Sequence, residues 1–455
     1  MYGVQVIVLL LVFSNSLRKG DASYELFLGI LGELFQSDNV LPSDYGLNVT
    51  TYVEKQGYPL ESHEVVTEDG YILTVHRIPH GVKNGTDGKR ERPPVLMMHS
   101  LLCSSMDWLY LGPEKSLGFL LAEAGYDVWM GNVRGNTWSR KHVKLDPDRD
   151  NDFWEFTFHE HGYYDVGAYI DHILNVTKHK QLYYIGHSQG TTELFILTSM
   201  RPEYNEKIIH GISLAPIAFM TDVRSPIIGM MVKFKRQLNN LFELFNVREL
   251  LSSSKLIKEA GKVLCADGSP FQEYCSLVIF SLAGFDSPQL NKTHIPVIVY
   301  STPAGTSAKN LLHFYALIDS GKFIQFDYGR AKNLKNYNSV EPPEYNLSRI
   351  SIPITLYTSQ NDYLSSMKDV VTLSQSLKNS VIRKIKYKRF THLDYLMAKD
   401  VDRLLNNELI DYMNSIRNGS ASHDHNKGWH DTAPAVLLSF VSLTFVCISL
   451  IINCV

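Results

Sequence analysis

Apolar and polar positions along this chain follow two periods in turn. Residues 71–76, Tyr-Ile-Leu-Thr-Val-His, alternate every second position, the pattern of a half-buried strand. Residues 94–99 and 126–130 are short apolar runs, which predict buried strands, and residues 181–185 and 210–215 are further strand candidates. Between them, residues 117–124, 164–174 and 191–200 carry helical spacing. The alternation stops after Ala215, and residues 216–345 read as helical and irregular. It resumes in residues 354–358 and 381–387, and a long helix over 395–416 closes the pattern. Strands alternating with helices predict an α/β fold: a mostly parallel sheet with helices on both faces. The interruption predicts an inserted, mainly helical cap or lid over the carboxyl ends of the strands. The expected divisions are a core from 23–215, a cap over 216–345 and a return to the core over 346–417.

The ends of the chain depart from this pattern. Residues 4–13 are apolar apart from Gln5, and small polar residues follow, which predicts a secretory leader over 1–22. From Thr432 to Val455 there is no charged residue. Small residues at 418–422 and a polar spacer precede that tail, the layout of a glycosylphosphatidylinositol-anchor signal over 418–455. A retained transmembrane helix is the rival reading. Asn-x-Ser/Thr sequons stand at Asn48, Asn84, Asn175, Asn291, Asn346 and Asn418, and their number fits passage through the secretory pathway. The destination is then extracellular, cell-surface or lysosomal.

Composition narrows the function classes. The chain has 455 residues, 44% hydrophobic and 20% charged, with a formal net charge of −3, which gives no reason to expect a nucleic-acid partner. Five cysteines are few. Cys265 and Cys275 flank a short loop and can bridge in an oxidising compartment, Cys103 reads as a lone thiol, and Cys447 and Cys454 fall in the tail. The histidines at 159 and 161, and those at 423, 425 and 430, lack a recognised metal-ligand spacing. No glycine loop for phosphate is found. Neither a metal nor a cofactor is expected.

The chemistry concentrates at Gly186-His187-Ser188-Gln189-Gly190, which falls between an apolar strand and a helix. That is a nucleophile elbow: a sharp turn exposes the serine hydroxyl, and glycines on either side avoid collision with neighbouring backbone. A reactive serine needs a base, and the base an orienting acid, in the chain order Ser, Asp, His for this architecture. Asp362 falls in the turn after the 354–358 strand and His392 in the turn after the 381–387 strand. Asp394 is too near His392 to serve as its acid. Two backbone N–H groups must receive the oxyanion. One is expected from Gln189 and the other from Leu101, in the loop that follows the 94–99 strand.

Many further segments resemble the acid lipase family of α/β-hydrolases. They include Gly57-Tyr-Pro, Glu68-Asp-Gly-Tyr-Ile-Leu73, Asp107-Trp, Gly112-Pro113 and the run from Gly125 to Arg140. They continue with Phe153-Trp-Glu-Phe156, Tyr164-Asp165, Pro303-Ala-Gly-Thr-Ser307 and His392-Leu-Asp394. The resemblance covers nearly the whole chain between its unusual ends. It implies an α/β-hydrolase core with a cap and lid, cleavage of carboxylic esters of neutral lipids and work at a lipid interface. It carries nucleophile, acid and base onto Ser188, Asp362 and His392, and a cap disulfide onto Cys265 and Cys275. Three departures stand out. Ser100 replaces a glycine of the His-Gly-Leu motif, a strained substitution if that position takes a positive φ. Asn361 precedes the acid where relatives tend to have glycine, and the apolar tail is an addition. A non-catalytic lipid carrier on the same scaffold and an acyltransferase are the competing classes.

Overall fold

The computed structural model describes residues 41–83, 91–251 and 264–420, with 258 and 261. The expected leader, Asn84, Cys447, Cys454, the histidines of the spacer and the apolar tail lie outside the described residues. The main sheet contains β1 (Glu61–Val66), β2 (Tyr71–Ile78), β3 (Pro94–Met98), β4 (Asp127–Gly131), β5 (Lys141–His142), β6 (Leu182–His187) and β7 (Ile208–Leu214). A separate ribbon of β8 (Glu249–Leu250) and β9 (Thr306–Ser307) follows, and β10 (Ile354–Thr358) and β11 (Ser380–Lys384) rejoin the main sheet. The order is β1-β2-β4-β3-β6-β7-β10-β11, with β5 paired to β2. From β4 to β11 every neighbouring pair is parallel, and the pairs made by β1, β2 and β5 are antiparallel.

The continuous apolar runs are explained by what lies on each side. In β3, Leu96 and Met98 enter one hydrophobic cluster, and Val95 and Met97 enter another. The same division separates Leu182 and Tyr184 from Tyr183 and Ile185 in β6. Side chains alternate across a strand, so covering both faces requires every position to be apolar. Helices Gly167–Thr177, Gln189–Met200 and Met367–Ser376 cover the first face; Val49–Lys55, Leu117–Glu123 and Asn407–Arg417 cover the second.

The described residues between 216 and 353 add no strand to the main sheet. They form helices including Pro226–Lys233, Lys235–Leu244, Gln272–Ala283 and Ala308–Ser320. Cys265 and Cys275 form a disulfide just before and within the third of these.

Two expectations need correction. The closing helix is not continuous: Asp394–Met397 ends at Ala398, whose backbone turns extended, and Asn407–Arg417 starts later. Ala398 bridges Leu290, and the Lys399 N–H donates to the Gln289 carbonyl at 2.9 Å. Pairing with the inserted segment thus replaces the helical hydrogen bonds. β1 was not foreseen, because Glu61-Ser-His-Glu-Val-Val is an edge strand with polar residues on both faces and carries no apolar period.

Candidate active site

Strand β6 ends at His187, and helix Gln189–Met200 begins two residues later. Ser188, between them, has φ 53° and ψ −115°, a backbone conformation rare outside glycine. The surroundings impose that strain. A Cβ on Gly186 would sit 2.5 Å from the Gly190 carbonyl oxygen, and one on Gly190 would sit 2.2 Å from that of Met98. The Ser188 N–H donates to Leu214 O at 2.9 Å, which ties the turn to β7.

The turns after β10 and β11 bring Asp362 and His392 to this serine. His392 Nε2 lies 2.8 Å from Ser188 Oγ, and His392 Nδ1 lies 2.9 Å from each Asp362 carboxylate oxygen. Asp362 Oδ1 also accepts from the N–H groups of Leu364 and Ser365, at 2.9 and 2.8 Å. With acceptors on one side, the imidazole carries its proton on Nδ1, and Nε2 is free to accept from the serine hydroxyl. All three side chains are buried. Asp394 bonds instead to the Thr391 N–H at 2.6 Å and opens its own short helix.

The inserted segment holds both turns. The carbonyl of Ala283, at the end of helix Gln272–Ala283, accepts from the N–H groups of Tyr363 and His392, each at 3.2 Å. Sequence reasoning also missed His187, whose Nε2–H donates to the His392 carbonyl at 3.0 Å. Burial, then the neighbouring His392, holds the His187 imidazole well below its ordinary pKa, so it supports the loop as a neutral ring. Its place beside the nucleophile was the available signal.

Among the described residues, the N–H groups of Leu101 and Gln189 have no protein acceptor. The close approach of Gly190 to Met98 and His99 puts the Leu101 loop against the start of the elbow helix. His99 Nδ1–H donates to the Ser100 carbonyl at 2.7 Å and fixes that loop. The strain foreseen at Ser100 does not arise: the positive φ, 63°, belongs to Leu102. His159 and His161 are engaged elsewhere, with Tyr345 Oη at 2.8 Å and the Gln189 amide at 3.1 Å. Cys103 is a free, buried thiol. Of the sequon asparagines, Asn48, Asn175, Asn346 and Asn418 are exposed and Asn291 is half-buried.

Residues 49–112 match the model of a partial α/β-hydrolase lipase region, and residues 93–248 match that of the α/β-hydrolase fold. Lipase 3 of Drosophila melanogaster is 40% identical over 364 residues, spanning 80% of this chain and 92% of that protein. The chain belongs to the α/β-hydrolase lipases. Gastric triacylglycerol lipase of Bos taurus is 38% identical to this lipase, over 81% of the chain and 91% of the relative. Lysosomal acid lipase/cholesteryl ester hydrolase of Homo sapiens is 40% identical, over 81% and 90%. The chemistry of this lipase is carboxylic ester hydrolysis.

Proposed function

We propose that this lipase cleaves esters of neutral lipids, triacylglycerols or sterol esters, through a Ser188–His392–Asp362 triad. The observation that carries the reading is the unbroken chain of short contacts from Ser188 Oγ through both ring nitrogens of His392 to Asp362. Ser188 Oγ attacks the ester carbonyl as His392 Nε2 takes its proton. Asp362 keeps the proton-bearing Nδ1 in place and stabilises the imidazolium. The N–H groups of Leu101 and Gln189 receive the oxyanion, each worth about 3–4 kcal/mol in comparable sites. His392 returns the proton to the departing alcohol, and water activated by the same ring releases the fatty acid and restores Ser188.

The names of the bovine and human relatives support the substrate class. Residues 216–345 support it as a cap. Helices Pro226–Lys233 and Lys235–Leu244 bury none of their residues, and Met230, Leu241 and Phe245 are 46%, 44% and 61% exposed. Ile227, Ile228, Met231, Phe234 and Phe242 are partly exposed, so these side chains are not the closed core of the segment. They suit an acyl chain or a lipid surface. Passage through the secretory pathway, with glycosylation and a glycosylphosphatidylinositol anchor, completes the reading. No helix among the described residues is long and apolar enough to cross a membrane.

The test is hydrolysis of triolein and cholesteryl oleate in mixed micelles, with Ser188→Ala as the control. Fatty-acid release by the wild type and none above background by the variant is expected. Hydrolysis of neither lipid, beside turnover of short soluble esters, would confine the protein to small substrates.

A further inference from the structure

Gln189 offers more than its backbone N–H: its side chain is the hub of a buried polar cluster. Its Oε1 accepts from Asn310 Nδ2 at 2.9 Å. Its Nε2 donates to Glu193 Oε1 at 3.0 Å and to His161 Nδ1 at 3.1 Å. The amide thus has its acceptor and both donors engaged, and all four residues are shielded from solvent. Glu193 lies one helical turn further along the elbow helix. Burial raises its carboxyl well above the usual range, and burial likewise keeps His161 neutral, so neither partner brings a free charge next to the elbow.

Asn310 comes from elsewhere in the molecule. It stands in the first turn of helix Ala308–Ser320, capped by Ser307, inside the segment between β7 and β10. Its Oδ1 accepts from the Phe158 N–H at 2.7 Å, and its Nδ2 also donates to Thr306 Oγ1 at 3.0 Å. Ser307 Oγ in turn donates to the Phe156 carbonyl at 2.6 Å. The Asn310 side chain is therefore fixed before it meets Gln189. A residue anchored through its side chain keeps its backbone N–H in register, which a transition-state donor needs, because a displacement of about 1 Å can cost ~10²-fold in rate.

We propose that Asn310 is a positioning residue that holds Gln189, and with it one of the two oxyanion donors, so that the inserted segment sets the geometry of the catalytic turn. This rests on the triad and oxyanion assignment above. Asn310 touches no reacting atom; it acts through Gln189 alone.

The experiment compares Asn310→Ala, Gln189→Met and the double variant, with p-nitrophenyl butyrate as substrate and phenylboronic acid as tetrahedral probe. Gln189→Met keeps the backbone N–H and leaves the inserted segment untouched, so it carries the test if Asn310→Ala fails to fold. Each single change should lower kcat about tenfold to a hundredfold with KM within about twofold, and weaken phenylboronic acid by a matching factor. The double variant should lose no more than the worse single one. An unchanged kcat, a change in KM alone, or multiplying losses in the double variant would overturn the proposal. Ser188→Ala runs in parallel: activity surviving in it refutes the triad itself, whereas a dead Ser188→Ala beside a fully active Gln189→Met refutes only the role of Asn310.

Discussion

Asp394 follows the base by two residues yet belongs to a different piece of chemistry. Burial pushes its carboxyl up to about 7, and the neighbouring Asp286 adds to the shift. A carboxyl raised above its unfolded value, near 4, stabilises the fold while protonated; that contribution is full below about 4 and lost as pH rises through about 7. Buried histidines such as His76 and His99, lowered to about 4 by burial, act in the opposite sense over part of this range. The prediction is therefore a difference: the melting temperature of Asp394→Asn relative to wild type should climb between about pH 4 and pH 7. A constant difference across that window would contradict the raised carboxyl. At this scale Ser188, Asp362 and His392 were legible, because nucleophilic catalysis prescribes residue types and a chain order. Asn310 was not. Its partner Gln189 lies 121 positions away, and asparagine has no signature of its own. Glu193 could have been noticed, one turn along the elbow helix from Gln189.

The elbow is the element on which the fold and the chemistry meet. Its strand and helix were readable from an apolar run ending in a glycine-bounded serine, and the helix begins two residues earlier than helical spacing alone suggested. The sequence did not say how tightly the turn is enclosed. A Gly190 Cβ would meet the Met98 carbonyl at 2.2 Å, and neither backbone can move aside without dislodging β3 or the helix. Gly190→Ala should therefore exceed the ~1–3 kcal/mol usual for overpacking a deformable core. It should melt well below wild type or fail to accumulate as soluble protein. Gly229→Ala, within helix Pro226–Lys233 with nothing inside 4 Å, is the control and should melt with or slightly above wild type, because alanine is the better helix former. Equal melting of the two variants would show that the turn is looser than described. The broken closing helix shows the converse limit. Residues 395–416 have helical spacing throughout, but pairing of Ala398 and Lys399 with residues 289 and 290 is a tertiary effect that no local pattern encodes.

Across the whole molecule, three side chains far apart in sequence converge because three parallel strands end at one edge of the sheet. The order β6-β7-β10-β11 places their following turns side by side, and the inserted segment secures two of them through the Ala283 carbonyl. The alternation of strands and helices made this architecture legible. The contribution of residues 216–353 to the site was hidden, because it works through one backbone carbonyl, that of Ala283, and one asparagine. The central claim, that convergence makes Ser188 a nucleophile, is tested most directly by covalent capture. Purified enzyme is treated with a fluorophosphonate and the adduct is located by peptide mass spectrometry. One phosphonate on the peptide bearing Ser188, absent in Ser188→Ala and strongly slowed in His392→Ala, is the predicted result. Labelling at full rate in His392→Ala, or an adduct on another residue with Ser188 unmodified, would contradict the account.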